Sequence, residues 1–176
     1  MRALPCHSLG CRVVYESLEI SPEKDRGLGL KTSSDISAGT AIGEYKGKPT
    51  TQHEWEKLDK SERRYMIRIG ASFFKERRYL NGEVNGNKLA RVNHSCEPNC
   101  QMEEWIADGY ARLVLIAKRN ITVGEYLSFH YGNETNFNGG CRCGTECQLG
   151  TSLKSTNSYR TRLPSHAIAR GPAELG

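Results

Sequence analysis

The chain has 176 residues, enough for one domain with its own core and short of two. Charged residues make up 26% of it and the mean hydropathy is −0.62, which predicts a soluble protein. No apolar run approaches the roughly 18 residues needed to cross a bilayer, and the net charge of +5 is too mild to demand a polyanionic partner, although it admits one.

The opening Met1-Arg2-Ala3-Leu4-Pro5-Cys6 has no apolar stretch of the kind a secretory signal carries. Seven cysteines in a chain read as unsecreted point to metal ligation before disulfides. Residues 1–17 hold Cys6 and Cys11 and form an N-terminal flank, with Val13-Val14-Tyr15 expected as a short strand. Leu18-Glu19-Ile20, Arg26-Gly27-Leu28-Gly29-Leu30 and Thr40-Ala41-Ile42-Gly43-Glu44-Tyr45 read as short strands, with a turn at Ser37-Ala38-Gly39. From Thr51 to Arg64 there is no Gly or Pro, and Gln, Glu, Lys and Leu predict a helix. Residues 65–92 return to short strands broken by Gly70, Gly82 and Gly86. Tyr110 to Ala117 is the strongest strand, and a turn at residues 121–125 leads into another from Tyr126 to Tyr131. Residues 133–140 read as a loop, and the polar residues 151–176 as a disordered tail. The fold class is α+β, mostly β, built of short strands in small sheets.

The densest chemistry lies in Asn93-His94-Ser95-Cys96-Glu97-Pro98-Asn99. Buried polar atoms need partners, so amide, imidazole, hydroxyl and thiol groups side by side suit a ligand-holding loop better than an amphipathic element. Cys141-Arg142-Cys143-Gly144-Thr145-Glu146-Cys147 places three thiols on a glycine-containing turn, as a tetrahedral zinc site requires. Cys96 is the natural fourth ligand; the plainer alternative is a set of free thiols. The pair Gly27 and Gly29 lets backbone approach a ligand, or marks an ordinary β-turn. Tyr45 and Tyr131 each stand close before a glycine at a strand end, where either could equally be a half-buried aromatic.

In this order the segments resemble the SET-domain family of protein-lysine methyltransferases over about residues 18–150. Gly27-Leu28-Gly29 is similar to its Gly-x-Gly cofactor segment, and Tyr45-Lys46-Gly47 to its Tyr-x-Gly. Gly86-Asn87 followed by residues 93–99 is similar to its Gly-Asn and signature loop. Residues 125–132 resemble its Glu-Leu-x-x-Asp-Tyr-Gly, and the three late cysteines its post-SET zinc cluster. Four departures stand out. Ala90-Arg91-Val92 replaces Arg-Phe-x, either by substitution of the arginine or by loss of the phenylalanine. His130 replaces Asp, Leu28 replaces a common Trp, and the Gly144–Cys147 spacing is one residue short.

The resemblance implies a SET domain at 18–132 with a knot-like C-terminal threading. It also implies a post-SET zinc segment at 133–150 and a flank at 1–17 left from a cysteine-rich module. The implied reaction is methyl transfer from S-adenosylmethionine to a lysine, on a histone tail in the nucleus (chromosome), with nucleosomal DNA as an additional contact and no membrane. Tyr131 and Tyr45 would be catalytic, and Phe129 would set product number, allowing di- or trimethylation. Gly27, Leu28, Gly29, Asn93, His94 and Tyr131 would hold the cofactor, and Cys96, Cys141, Cys143 and Cys147 the zinc. Two other classes compete: a SET-like binding module without turnover, and a small zinc-binding nucleic-acid module. The second leaves the 93–99 loop and both tyrosine motifs unexplained.

Overall fold

The structure, a computed structural model, describes residues 14–70, 78–107, 110–132 and 141–143. The expectations for Cys6, Cys11, Cys147, the 133–140 loop and the tail lie outside these residues. Among the described residues the strands and the helix with given bounds follow in chain order: β1 (Leu18–Glu23), β2 (Gly27–Thr32), β3 (Ala41–Tyr45), β4 (Lys48–Thr51), α1 (Gln52–Lys57), β5 (Met66–Ile69), β6 (Arg78–Asn81), β7 (Asn93–His94), β8 (Cys100–Ala107), β9 (Tyr110–Ala117) and β10 (Ser128–Phe129). A 3-10 turn, Lys88–Arg91, precedes β7. The mostly β, α+β class expected from the sequence is the class found.

The strands form four small sheets: β1-β2, β3-β9-β8, β4-β6-β5 and the pair β10-β7. All pairings are antiparallel except the last. β9 is central in its sheet, and Leu113 to Ala117 are all buried. Five successive apolar residues are what a strand covered on both faces needs. Leu113, Leu115 and Ala117, on one face, join Leu30, Ile36, Ile42, Leu89, Ile121 and Leu127 in one core.

The β1–β2 hairpin turns through Asp25 at φ 61° and Gly27 at φ 79°. Both are residues that tolerate the left-handed region, Gly because it lacks a Cβ. The turns at Gly39 and Gly124 also have positive φ, as the sequence suggested.

Three expectations need correction, and one strand was not anticipated. Residues 14–16 are helical, not a strand. Tyr15 packs against Gly43 and under the Lys88 ammonium, 4.4 Å from its ring centroid, and these contacts override the β propensity of valine and tyrosine. The helix stops at Lys57 instead of Arg64. Asp59 accepts from the amides of Ser61 and Glu62 while Glu62 accepts from its own amide, so a local capping arrangement replaces helix continuation. The expected Tyr126–Tyr131 strand is reduced to Ser128–Phe129, with an isolated antiparallel bridge from Tyr126 to Lys31. Residues 100–107 form a full edge strand on β9, hidden in the sequence by Glu103-Glu104.

The parallel pairing matters most for the site. Ser128 lies opposite Asn93 and Phe129 opposite His94. Parallel neighbours need a long crossover, and the β8–β9 hairpin provides it. Residues 130–132 therefore arrive beside residues 93–95, the juxtaposition that a threaded C-terminal motif requires.

Candidate active site

The 93–99 loop is held by bonds to distant parts of the chain. Asn99, buried, donates to Glu125 (2.9 Å) and to the Tyr126 carbonyl (2.8 Å), and accepts from the Ser128 amide (2.8 Å). Glu125 is itself clasped by Arg119, and that pairing holds its carboxyl below the usual range. These bonds fix β10 against β7.

His94 is the pivot. Its Nδ1 accepts the Tyr131 amide proton at 3.1 Å, and its Nε2 lies 3.4 Å from the Cys96 sulfur. A backbone N–H can only donate, so Nδ1 must be bare and Nε2 must carry the proton of a neutral ring. Burial, with the neighbouring His130 and Arg26, pushes the His94 pKa down to about 4, in keeping with that neutral ring. His94 makes edge contacts with Tyr131 and His130 at centroid distances of 5.4 and 4.9 Å.

Tyr131 donates its hydroxyl proton to the Val92 carbonyl at 2.7 Å. Burial, then nearby Tyr65 and Glu23, push its pKa up, so it stays a phenol at neutral pH. Its ring is 4.8 Å from that of buried Phe129. Tyr45 is buried too, and burial followed by Tyr131 and Tyr65 raises its pKa. Its hydroxyl donates to the Tyr65 carbonyl at 2.7 Å, which also accepts the Gly82 amide at 2.9 Å. A Cβ on Gly82 would overlap the Tyr45 hydroxyl, so this glycine makes room for it. Two protonated tyrosines far apart in sequence thus lie near one another.

On the other side, Asn93 Nδ2 donates to the buried Glu23 carboxylate (2.7 Å) and to the Leu28 carbonyl (3.1 Å). Arg26 pairs with Glu23 at 2.6 Å and donates to the His94 carbonyl at 3.2 Å. Gly29 is a glycine because Glu23 and the Tyr126 ring occupy the space of a Cβ, whereas Gly27 serves the turn. Leu28 between them is half exposed. An anion beside a cation, next to an exposed apolar side chain, is the donor set a zwitterionic amino acid with an apolar body requires. The implied S-adenosylmethionine therefore fits the residues present.

Cys96 and Cys141 sulfurs lie 3.9 Å apart. Two thiolates on a tetrahedral zinc with Zn–S near 2.3 Å stand about 3.8 Å apart, so the spacing fits the ion. His94 Nε2 belongs to the same cluster, within 4.8 Å of both sulfurs. It cannot ligate through Nε2 while Nδ1 accepts from Tyr131, because the ring would then need its proton on the nitrogen that faces an N–H. Cys143 lies in the same short segment, whose Arg142 donates to the Asp25 carbonyl at 3.4 Å, and Cys147 lies outside the described residues.

Of the residues expected at the site, Asn93, His94, Cys96, Phe129, Tyr131 and Cys141 converge, and Tyr45 joins Tyr131. Sequence reasoning missed Glu23, Tyr65, Gly82 and Arg91. Glu23 was obscured because β1 does not alternate: Leu18 and Glu23 are buried while Ile20 is 49% exposed. The run of glycines around Gly82 was the one signal for a close approach.

Comparison with known proteins agrees with this geometry. The SET domain family profile matches residues 27–132. The chain is 36% identical over 130 residues to the histone-lysine N-methyltransferase ash1 of Drosophila melanogaster, covering 69% of this chain and 6% of that protein. It is 33% identical to the human histone-lysine N-methyltransferase, H3 lysine-36 specific, covering 74% of this chain and 5% of that protein. The histone-lysine N-methyltransferase ASHR3 of Arabidopsis thaliana is 31% identical, over 90% of this chain and 34% of its own length. The chain thus spans only a small part of these relatives.

Proposed function

The chain belongs to the SET-domain family, and from that premise we propose that it is a protein-lysine N-methyltransferase acting on a histone in the nucleus. The observation that supports this most is the meeting of Tyr131, Tyr45 and the 91–94 run around one apolar place.

Bound S-adenosylmethionine would supply an electrophilic methyl on a sulfonium. A lysine held beside Tyr131 and Tyr45 would take that methyl on its nitrogen and release a proton to solvent. A lysine amine has a pKa near 10.4, so its proton must leave first. An apolar channel disfavours the ammonium form and so helps that loss. Tyr131 donates a hydrogen bond to the Val92 carbonyl, which fixes where its oxygen would meet a polarised methyl or an amine. Partly buried and protonated, it orients and stabilises and is not the base. Tyr45 would line the same channel, with position set through Tyr65. Rate then comes from alignment of amine, methyl and sulfur.

Asn93, with backbone at residues 27–29 and His94, would hold the cofactor, and Glu23 and Arg26 would meet its charged end. Zinc on Cys96, Cys141, Cys143 and Cys147 would tie the late cysteine segment to the 93–99 loop. Phe129 presents an apolar wall beside Tyr131 and cannot bind a water that crowds the amine, which favours higher methylation states. If Phe129→Tyr left the product distribution unchanged, that assignment would fall.

The competing reading, a binding module without turnover, rests on His130 and Ala90. His130 Nδ1 accepts the Gly132 amide at 3.0 Å, a turn-shaping bond an aspartate oxygen could also make. Ala90 is buried in the core. Neither removes a group from the tyrosine pair. The test is transfer of labelled methyl to histone octamers and nucleosomes, beside Tyr131→Phe, with bound zinc quantified. Label on a histone that vanishes in the variant supports the enzyme. Bound cofactor and zinc without label on any histone would overturn the histone assignment.

A further inference from the structure

Four successive residues, Arg91 to His94, each hold a different part of the site. Val92 takes the Tyr131 hydroxyl, Asn93 bonds Glu23 and Leu28, and His94 takes the Tyr131 amide. Arg91 serves a different partner. Its Nη1 donates to the Tyr65 hydroxyl at 2.8 Å, and its guanidinium lies 4.9 Å from the centroid of that ring. Among the described residues it has no carboxylate partner. Tyr65 is therefore gripped at both ends: its hydroxyl by Arg91, its carbonyl by the Tyr45 hydroxyl and the Gly82 amide.

We propose that Arg91 is a positioning residue of the lysine channel, which holds Tyr65 and through it Tyr45, and whose fixed charge disfavours an ammonium ion in that channel. The proposal rests on the methyltransferase reading. The guanidinium charge is felt at the Tyr45 hydroxyl, where it opposes the larger upward push of burial. A charge that acts there also acts on an amine lying beside Tyr45. Like charges in a desolvated place favour the neutral form of whichever group can lose its proton, and arginine cannot. Arg91 would thus help strip the proton that the lysine must lose.

The test compares wild type with Arg91→Lys, Arg91→Met, Tyr65→Phe and the Arg91→Met/Tyr65→Phe double variant. Methyl transfer to histone octamers is followed against pH, with S-adenosylhomocysteine affinity and folding checked for each. Removing the charge should raise the acidic limb of kcat by about one pH unit and lower kcat at neutral pH about tenfold. Arg91→Lys keeps a charge and should keep the limb in place, while losing rate because its point charge cannot both stack and bond. The double variant should be little worse than Arg91→Met, and cofactor affinity should not change. A wild-type limb in Arg91→Met, or the same displaced limb in Arg91→Lys, would overturn the proposal.

Failure of the activity itself is read separately. If wild type binds the cofactor yet transfers no methyl, the methyltransferase reading has failed, and ring-carbon NMR of labelled tyrosines decides the placement of Arg91. Tyr65 and Tyr45 signals that move in Arg91→Met and return in Arg91→Lys would support it. Signals that stay in place would overturn it.

Discussion

Two polar regions of this molecule are built in opposite ways. Around α1 the bonds are local: Thr51 caps Glu54, Glu54 returns to the Thr51 amide, Gln52 meets Glu56, and Asp59 closes on Ser61 and Glu62. No residue of α1 is buried. Around the 93–99 loop the partners are far apart in sequence: Asn93 with Glu23, Asn99 with Glu125 and Ser128, and His94 with Tyr131. Many of these groups are buried. Local bonds shape a surface that water can rescue when one is lost. Long-range buried bonds hold distant segments in register, and their loss leaves unsatisfied partners in a dry place.

That contrast is open to attack at several points. Tyr131→Phe removes one hydroxyl from the centre of the second region, and transfer should fall on the order of 10²–10³-fold in single-turnover assays. Gly82→Ala puts a methyl group where the Tyr45 hydroxyl lies, 2.8 Å from its ring carbon Cζ and 3.0 Å from the Ala90 Cβ. Transfer should fall roughly 10²-fold from misplacement alone, with cofactor affinity little changed by calorimetry. Asn99→Ala orphans the Ser128 amide and frees Glu125, and should cost about 3 kcal/mol in urea unfolding. Thr51→Ala should cost only about 1 kcal/mol and leave transfer untouched. If Thr51→Ala damaged turnover as Asn99→Ala does, the division between the regions would be false.

The gentlest probe is pH. Arg119 holds the Glu125 carboxyl below its unfolded value, with burial opposing and Asn99 assisting. A depressed carboxylate stabilises the fold above the unfolded pKa, near 4.3, and loses that contribution as pH falls through the folded value. Unfolding followed below pH 5 should therefore show a weaker acid dependence in Arg119→Ala. An unchanged dependence would place the acid-labile group elsewhere.

How far the sequence revealed this depended on the range of the bonds. Strand β9 was legible because the apolar run Leu113 to Ala117 suits a strand covered on both faces. The turns at Gly39 and Gly124 were legible for the same local reason. The 93–99 loop was plainly chemical, but nothing in it names Glu23 or Tyr131 as partners. Those meet only through the parallel β7–β10 pairing. The helix was overextended because Asp59 competes for backbone amides in a way composition does not display. Gly29 reads as room for a ligand, yet the space is taken by Glu23 and Tyr126. Arg91 sat in view beside the loop, and only its contact with Tyr65 gives it meaning.

The most direct measurement pairs turnover with stability in Tyr131→Phe. The hydroxyl donates to the Val92 carbonyl, and its loss should leave the variant within about 1.5 kcal/mol of wild type in unfolding, with the same zinc bound. Its methyl transfer to nucleosomes should fall at least a hundredfold. A variant that keeps its turnover would contradict the claim that this crossing of β7 and β10 is where the chemistry happens.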